Sequence, residues 1–188
     1  MERLVILGSG SGSNAKNLLT YFQQHEEIEI VLIAHNKPNI GIIQHAKEFN
    51  IPTFLLTKEN FLLSDEFIQH LIHLNVNWII LAGFLWKIPA ALCKKFENKI
   101  INIHPSLLPK YGGQGMYGHF VHEAVFNAQE KESGITIHLV NEEYDKGKVL
   151  FQGRVNLDPE DGPDIIEQKV RSLEIQLFPT IVEKTILG

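Results

Sequence analysis

The sequence predicts an α/β fold, a three-layer, doubly wound, mostly parallel sheet with helices on both faces and mixed strands near the carboxyl-terminal part. Two observations carry this expectation. Between residues 4 and 104, short apolar runs rich in β-branched residues alternate with helical patterns five times over, as a parallel sheet covered on both faces requires. After Gly115 the alternation stops, and two β-rich runs, 134–140 and 148–155, stand close together before a long helical pattern. No internal repeat, low-complexity tract or linker breaks the chain, so a single domain over residues 1–188 is expected.

The elements follow in order. LVIL (4–7) is short, apolar and bounded by a glycine loop, the signature of a buried strand. SNAKNLLTYFQQH (13–25) has Leu18, Leu19 and Phe22 at helical spacing, with Ser13 or Asn14 as the expected cap. IEIVLIAHN (28–36), PTFLL (52–56), WIILAG (78–83) and IINIH (100–104) are the next strands. GIIQHAKEFN (41–50), the stretch 65–74 and PAALCKKF (89–96) are the intervening helices. A helix near 116–128 precedes GITIHLV (134–140) and KVLFQGRV (148–155), which read as a hairpin, and residues 163–187 read as an amphipathic helix.

Composition narrows the function. With 44% hydrophobic and 21% charged residues, the 188-residue chain has the make-up of a globular protein. The net charge of −5 and the lack of a Lys/Arg stripe give no reason to expect a nucleic-acid partner. The single cysteine, Cys93, excludes an internal disulfide and a thiolate metal cluster. No run approaches the ~18 apolar residues of a membrane span, and the opening MERLVILGSGSG lacks a small-residue cleavage site. A cytoplasmic protein with no membrane partner and no metal is expected.

In doubly wound sheets ligands bind beyond the carboxyl ends of the strands, where Gly8, His35, Gly83 and His104 would lie. GSGSGSNAKN (8–17) leads into the first helix, whose free N–H groups suit a phosphate. No Gly-Lys-Ser/Thr follows, so it is not a nucleoside-triphosphate loop. Gly10-x-Gly12-x-x-Ala15 meets only the looser dinucleotide fingerprint, and the second strand ends in His35-Asn36 where a ribose-binding acid is wanted. A tight turn with no ligand is the alternative.

Asn102 and His104 are two apart on a strand and so project from the same side. Asp145, in NEEYDKGKV (141–149), sits in a turn from which it can cross into a cleft. Alone, a strand-end histidine and a turn aspartate read as structural residues. Thr136 and His138 share one strand face and are candidate support. His119 and His122 are three apart, but no ligand set accompanies them, so both are expected at the surface or a cleft rim. Trp78 and Phe84 are expected in the core.

GSGSGSN, LAGF, NIHPSLLPKYGG, GITIHLV and YDKGKV together resemble the phosphoribosylglycinamide formyltransferase family, in the family's order, from Leu4 to about Pro179. The resemblance implies formyl transfer from 10-formyltetrahydrofolate, a co-substrate, to the amine of glycinamide ribonucleotide, in purine biosynthesis. It implies Asn102, His104 and Asp145 as catalytic residues and Gly12, Ser13 and Asn14 as the phosphate loop, with Glu174 at the ribose. It implies folate contacts from Leu85, Trp86, Lys87 and Ile88, from Asn102, and from Asn141, Glu142, Glu143, Tyr144 and Asp145. Residues 1–104 would then be a nucleotide-binding-like half and 105–188 a folate-binding and catalytic half. The partners implied are these small molecules, to a monomer or homodimer. The sequence departs from the family at LWKI (85–88), where many members carry an arginine, at GGQGMYGHFVHEAV (112–125) and at Arg171.

The chemistry needs donors for an oxyanion and a route for the amine's proton. Asn102 and a protonated His104 would donate, and Asp145 would keep His104 charged by proximity. Ser106 is better suited to turn bonding than to nucleophilic attack. Gly12→Val is expected mainly to weaken ribonucleotide binding. The competing readings are a related enzyme (methionyl-tRNA formyltransferase, sugar-nucleotide formyltransferase or formyltetrahydrofolate hydrolase) and a non-catalytic nucleotide-binding module.

Overall fold

Leu4, Val5, Ile6 and Leu7 are all fully buried in β1 (Glu2–Gly8). A strand covered on both faces reads as a continuous apolar run, and this one does. The computed structural model describes residues 1–188, which form two compact units, Met1–Ile101 and Asn102–Gly188.

The first unit alternates β1, α1 (Ser13–Phe22), β2 (Ile28–His35), α2 (Gly41–Glu48), β3 (Thr53–Leu55), α3 (Glu66–His73), β4 (Trp78–Leu81) and α4 (Ala90–Lys95). β1 pairs in parallel with β2 and with β4, and β2 with β3. Gly8 is in register with His35 at the strand ends, and the Ser9 N–H donates to the Gly83 carbonyl at 3.1 Å. The expected face of α1, Leu18, Leu19 and Phe22, is buried together with Ala15, while α2 buries Ile42 and Ala46 and α3 buries Phe67 and Leu71. Asn50 and Asn75 stop α2 and α3 by taking left-handed backbone at φ 56° and 52°. The next N–H then reaches back to close each helix, from Ile51 to the Ala46 carbonyl and from Val76 to that of Leu71.

β5 (Ile100–His104) gives its last three residues to the second unit, which continues with α5 (His119–Asn127), β6 (Glu132–Leu139), β7 (Val149–Asn156) and α6 (Pro163–Leu187). β6 and β7 pair antiparallel from Glu132↔Asn156 onward, with a bulge between Ile137 and His138. α6 starts with Pro163 in its first turn, where the missing N–H costs nothing, and buries Ile166, Val170, Phe178 and Val182. The strands run in the order β3-β2-β1-β4-β5-β6-β7 in one sheet, so the fold is the mostly parallel sheet expected, mixed toward its carboxyl-terminal part. No helix is long and apolar enough to cross a membrane.

Four local expectations change. Gly12, at φ 78°, takes the cap position of α1 with no side-chain bond, and Ser13 is already helical. α5 begins only at His119, because Gly113, Gly115 and Gly118 hold positive φ and keep the preceding segment out of a helix. Residues Glu59–Leu63 form a single π turn that no periodicity announced. His122 is not at the surface: it is 3% exposed on the inner face of α5, while His119 is exposed and bonded to Glu167.

Candidate active site

The site in the second unit grows from the end of β5. Strand alternation carries Asn102 and His104 to one side, and each ring or amide is then pinned. The His104 Nε2–H donates to the Tyr111 carbonyl at 2.8 Å. The Asn102 amide nitrogen donates to His138 Nε2 at 3.1 Å. His138, on β6, donates its Nδ1–H to the Leu139 carbonyl at 2.9 Å, which leaves Nε2 free to accept. His138 therefore orients the Asn102 amide, which retains a second N–H for another acceptor.

Asp145 comes from the β6–β7 connection. Gly147 is required there, since a Cβ would run into the Leu139 carbonyl. Asp145 itself sits at φ 53°, a left-handed conformation that Asp tolerates better than most residues. The Gly113 N–H donates to its Oδ2 at 2.8 Å. Oδ2 stands 3.7 Å from His104 Nδ1, and Oδ1 stands 3.6 Å from His138 Nε2. One carboxylate thus faces two imidazoles, on one of which Asn102 also closes.

The loop between β5 and α5 is held by Thr136. Its hydroxyl donates to the Ser106 carbonyl at 2.7 Å and accepts from the Leu108 N–H and the Gln152 amide, each at 3.0 Å. Ser106 spends its own hydroxyl on the Lys110 carbonyl at 2.7 Å, a turn bond that leaves it no role as a nucleophile.

Burial dominates His104 and lowers its pKa below the ordinary imidazole value; the nearby Asp145 charge and the Tyr111 carbonyl oppose this without overcoming it. The sequence leaves the resting charge of His104 open; in this environment the imidazole is neutral at neutral pH. Because Nε2 carries the proton bound to Tyr111, Nδ1 is the basic atom, and it faces Asp145. Burial works against the Asp145 charge, but the pull of His138, His104 and the Gly113 N–H outweighs it, and the carboxyl stays below its ordinary range. The resting charge of the constellation therefore resides on Asp145.

The remaining site residues expected from the sequence are arranged as follows. In the first unit, Gly12 precedes α1, and Ser13 and Asn14 form its first turn, where no acidic side chain is present. A Cβ on Gly12 would press on the Ile42 backbone at 2.7 Å, so Gly12→Val strains both φ and packing rather than acting on a ligand alone. A Cβ on Gly10 would meet nothing within 4 Å, which makes it the position to probe. The Leu85 N–H donates to Ser9 Oγ at 3.0 Å and ties the 85–88 segment to the glycine loop. Leu85 and Lys87 are exposed, Trp86 rests among Phe61 and Phe84, and Ile88 is core. In the second unit, Asn141 Oδ1 accepts from the Glu143 N–H at 3.0 Å, Glu143 pairs with Lys146, and Glu142 and Tyr144 are exposed. Glu174 is half-buried on α6. Trp78 is core as expected, and Phe84 is half-buried.

Sequence reasoning missed the two backbone groups of the site, the Tyr111 carbonyl and the Gly113 N–H. The glycine pair after Tyr111 was the available signal, since Tyr111 and Gly113 both hold positive φ. No group of three or more His, Cys, Asp or Glu side chains is arranged to hold a metal ion.

Known proteins share this arrangement of chain. A family model described as formyl transferase matches residues 2–182. A chloroplastic phosphoribosylglycinamide formyltransferase of Arabidopsis thaliana is 35% identical over 193 residues, covering 96% of this chain and 64% of the plant protein, so the chain spans less than two thirds of that relative. The phosphoribosylglycinamide formyltransferase of Bacillus subtilis is 32% identical over 193 residues, covering 100% of this chain and 96% of its own. The solved structure of glycinamide ribonucleotide transformylase 1 from Geobacillus kaustophilus is similar with a TM-score of 0.90 at 29% identity, covering 100% of both chains. The chain belongs to the formyl transferase family, alongside the phosphoribosylglycinamide formyltransferases.

Proposed function

We propose that this chain transfers the formyl group of 10-formyltetrahydrofolate to the amine of glycinamide ribonucleotide, in purine biosynthesis. The observation that carries the reading is the chain of contacts from Asn102 through His138 and Asp145 to His104 in the second unit, with spacings of 3.1, 3.6 and 3.7 Å. A module that only bound nucleotides would have no use for a buried neutral imidazole opposite a charged carboxylate.

The amine nitrogen attacks the formyl carbon, and the carbonyl π pair moves onto oxygen. The free N–H of Asn102 donates to that oxyanion; loss of one such donor costs ~10²–10³ in rate. The nitrogen, now positive, gives up a proton to His104 Nδ1. The imidazolium forms opposite Asp145, whose charge stabilises it. The oxyanion then collapses, the bond from carbon to the folate nitrogen breaks, and His104 returns the proton to that leaving nitrogen. Formylated ribonucleotide and tetrahydrofolate result, with no covalent enzyme intermediate.

The ribonucleotide phosphate belongs at Gly12, Ser13 and Asn14, supported by the helix N-terminus that follows Gly12 and by the absence of acidic side chains from its first turn, and Glu174 serves the ribose. The 85–88 and 141–145 segments serve the folate. Gly10→Asp is expected to raise the KM for glycinamide ribonucleotide at least tenfold by placing a like charge beside the phosphate, with the fold kept, because its Cβ meets open space. Steady-state kinetics with thermal unfolding of the same variant checks this.

The direct test is an absorbance assay of folate conversion with and without glycinamide ribonucleotide. Conversion that depends on the ribonucleotide is expected. Conversion without it would make the chain a hydrolase, and none in either case would leave a binding module.

A further inference from the structure

Tyr111 is held in a backbone conformation that its side chain does not favour. Its φ is 55°, in the left-handed region where a bulky residue is rare. Such a residue stays there only when its surroundings impose it. Just before it, the Ser106 hydroxyl donates to the Lys110 carbonyl at 2.7 Å. Just after it, the Gly113 N–H is spent on Asp145 Oδ2 at 2.8 Å. Between these two ties stands the Tyr111 carbonyl, which accepts the His104 Nε2–H at 2.8 Å.

The side chain supplies a third tie. The Tyr111 hydroxyl donates to Glu130 Oε1 at 2.9 Å. Glu130 follows α5, and the end of that helix sets its place. Gln129 takes left-handed backbone at φ 52°, and the Glu130 N–H then reaches back to the Val125 carbonyl at 3.3 Å. Val125 is fully buried, so the anchor is rooted in the core of the second unit. Lys110 Nζ lies 2.7 Å from the same carboxylate oxygen, and Lys110 and Tyr111 together hold the Glu130 carboxyl below its ordinary range. The hydroxyl therefore meets a charged acceptor, which makes a stronger bond than a neutral one. The Lys110 side chain is 65% exposed, so its own ion pair adds little.

We propose that Tyr111 and Glu130 are positioning residues for His104: their bond keeps Tyr111 left-handed, so that its carbonyl holds the imidazole proton on Nε2. Released, Tyr111 relaxes toward negative φ and its carbonyl swings off the ring. The proton then gains by moving to Nδ1, where the Asp145 carboxylate lies at 3.7 Å. In that tautomer Nδ1 cannot take the amine's proton, and the ring is lost as a base. The consequence for rate rests on the proposed reaction, whereas the tautomer is read in the free protein.

Tyr111→Phe tests it, since it removes one hydroxyl and keeps the carbonyl. Imidazole ¹⁵N spectra give the tautomer, with the His104 signals identified by their loss in His104→Ala. The ratio of Nε2–H to Nδ1–H should fall about three- to tenfold in Tyr111→Phe, the range one net hydrogen bond supplies. The kcat should fall with the Nε2–H fraction, and both KM values should stay within about twofold. Glu130→Ala should act alike, and the double variant should go no further than either alone, because both cut one bond. Glu130→Gln keeps an acceptor oxygen and should restore the wild-type ratio. Lys110→Met removes only the exposed ion pair and should change neither spectrum nor rate. The proposal is overturned by a wild-type ratio in folded Tyr111→Phe, by a lower kcat with unmoved His104 signals, or by effects that add in the double variant. The spectra need no substrate, so a chain that transferred no formyl group could still show the tautomer shift, and the two readings fail separately.

Discussion

Replacing His104 with alanine should lower kcat ~10²–10⁴-fold, the scale of a lost general base, while the KM values for both substrates stay within a few-fold. The split follows from the geometry. Nε2 is spent on the Tyr111 carbonyl, and Nδ1 is the atom that takes the amine's proton, so the ring acts when the tetrahedral intermediate forms rather than when substrates bind. The substitution leaves a small void where a 4%-exposed ring stood, but β5 keeps Ile100, Ile101 and Ile103 as its buried anchors. The fold should persist by circular dichroism. Near-normal turnover in folded His104→Ala protein would remove His104 from the mechanism.

Asp145→Asn should lower kcat by a comparable order and also displace the acidic limb of the pH profile. The sign follows from the charges. His104 works as a base only when neutral, so kcat/KM falls as pH drops through its pKa, which burial holds below the ordinary value of 6.5. The Asp145 charge raises that pKa against burial. Removing the charge lets the pKa fall further, and the acidic limb moves to lower pH even as the maximum rate drops. The amide oxygen of Asn can still accept the Gly113 N–H, so the loop should hold. A limb that moves to higher pH, or a pH profile like wild type with full activity, would show that Asp145 does not act on His104 by charge.

Much of the fold was legible because its strands are covered on both faces. Leu4–Leu7 and Trp78–Leu81 are buried throughout, and such segments write themselves as apolar runs. The shared side of Asn102 and His104 was legible for an equally local reason, since strand alternation needs no tertiary information. Asp145 was not readable in that way. It depends on the turn that Gly147 permits and on a Gly113 N–H from another loop, and only resemblance to a known family singled it out. The charge of His104 was hidden for the same reason: burial is set by the whole unit, and a neighbouring carboxylate read in isolation points the other way. Gly12 as cap and the buried His122 are likewise consequences of what packs around them. His122 shows this clearly, since its spacing from His119 said nothing about which of the two faces inward.

The protonation state of His104 is the most direct test of this account. Imidazole ¹⁵N chemical shifts of the labelled protein, followed from pH 5 to 8, report the tautomer and the pKa together. A neutral ring at pH 7, protonated on Nε2 and titrating below 6.5, is the expected result. A ring that is positively charged at pH 7, or neutral with its proton on Nδ1, would contradict it.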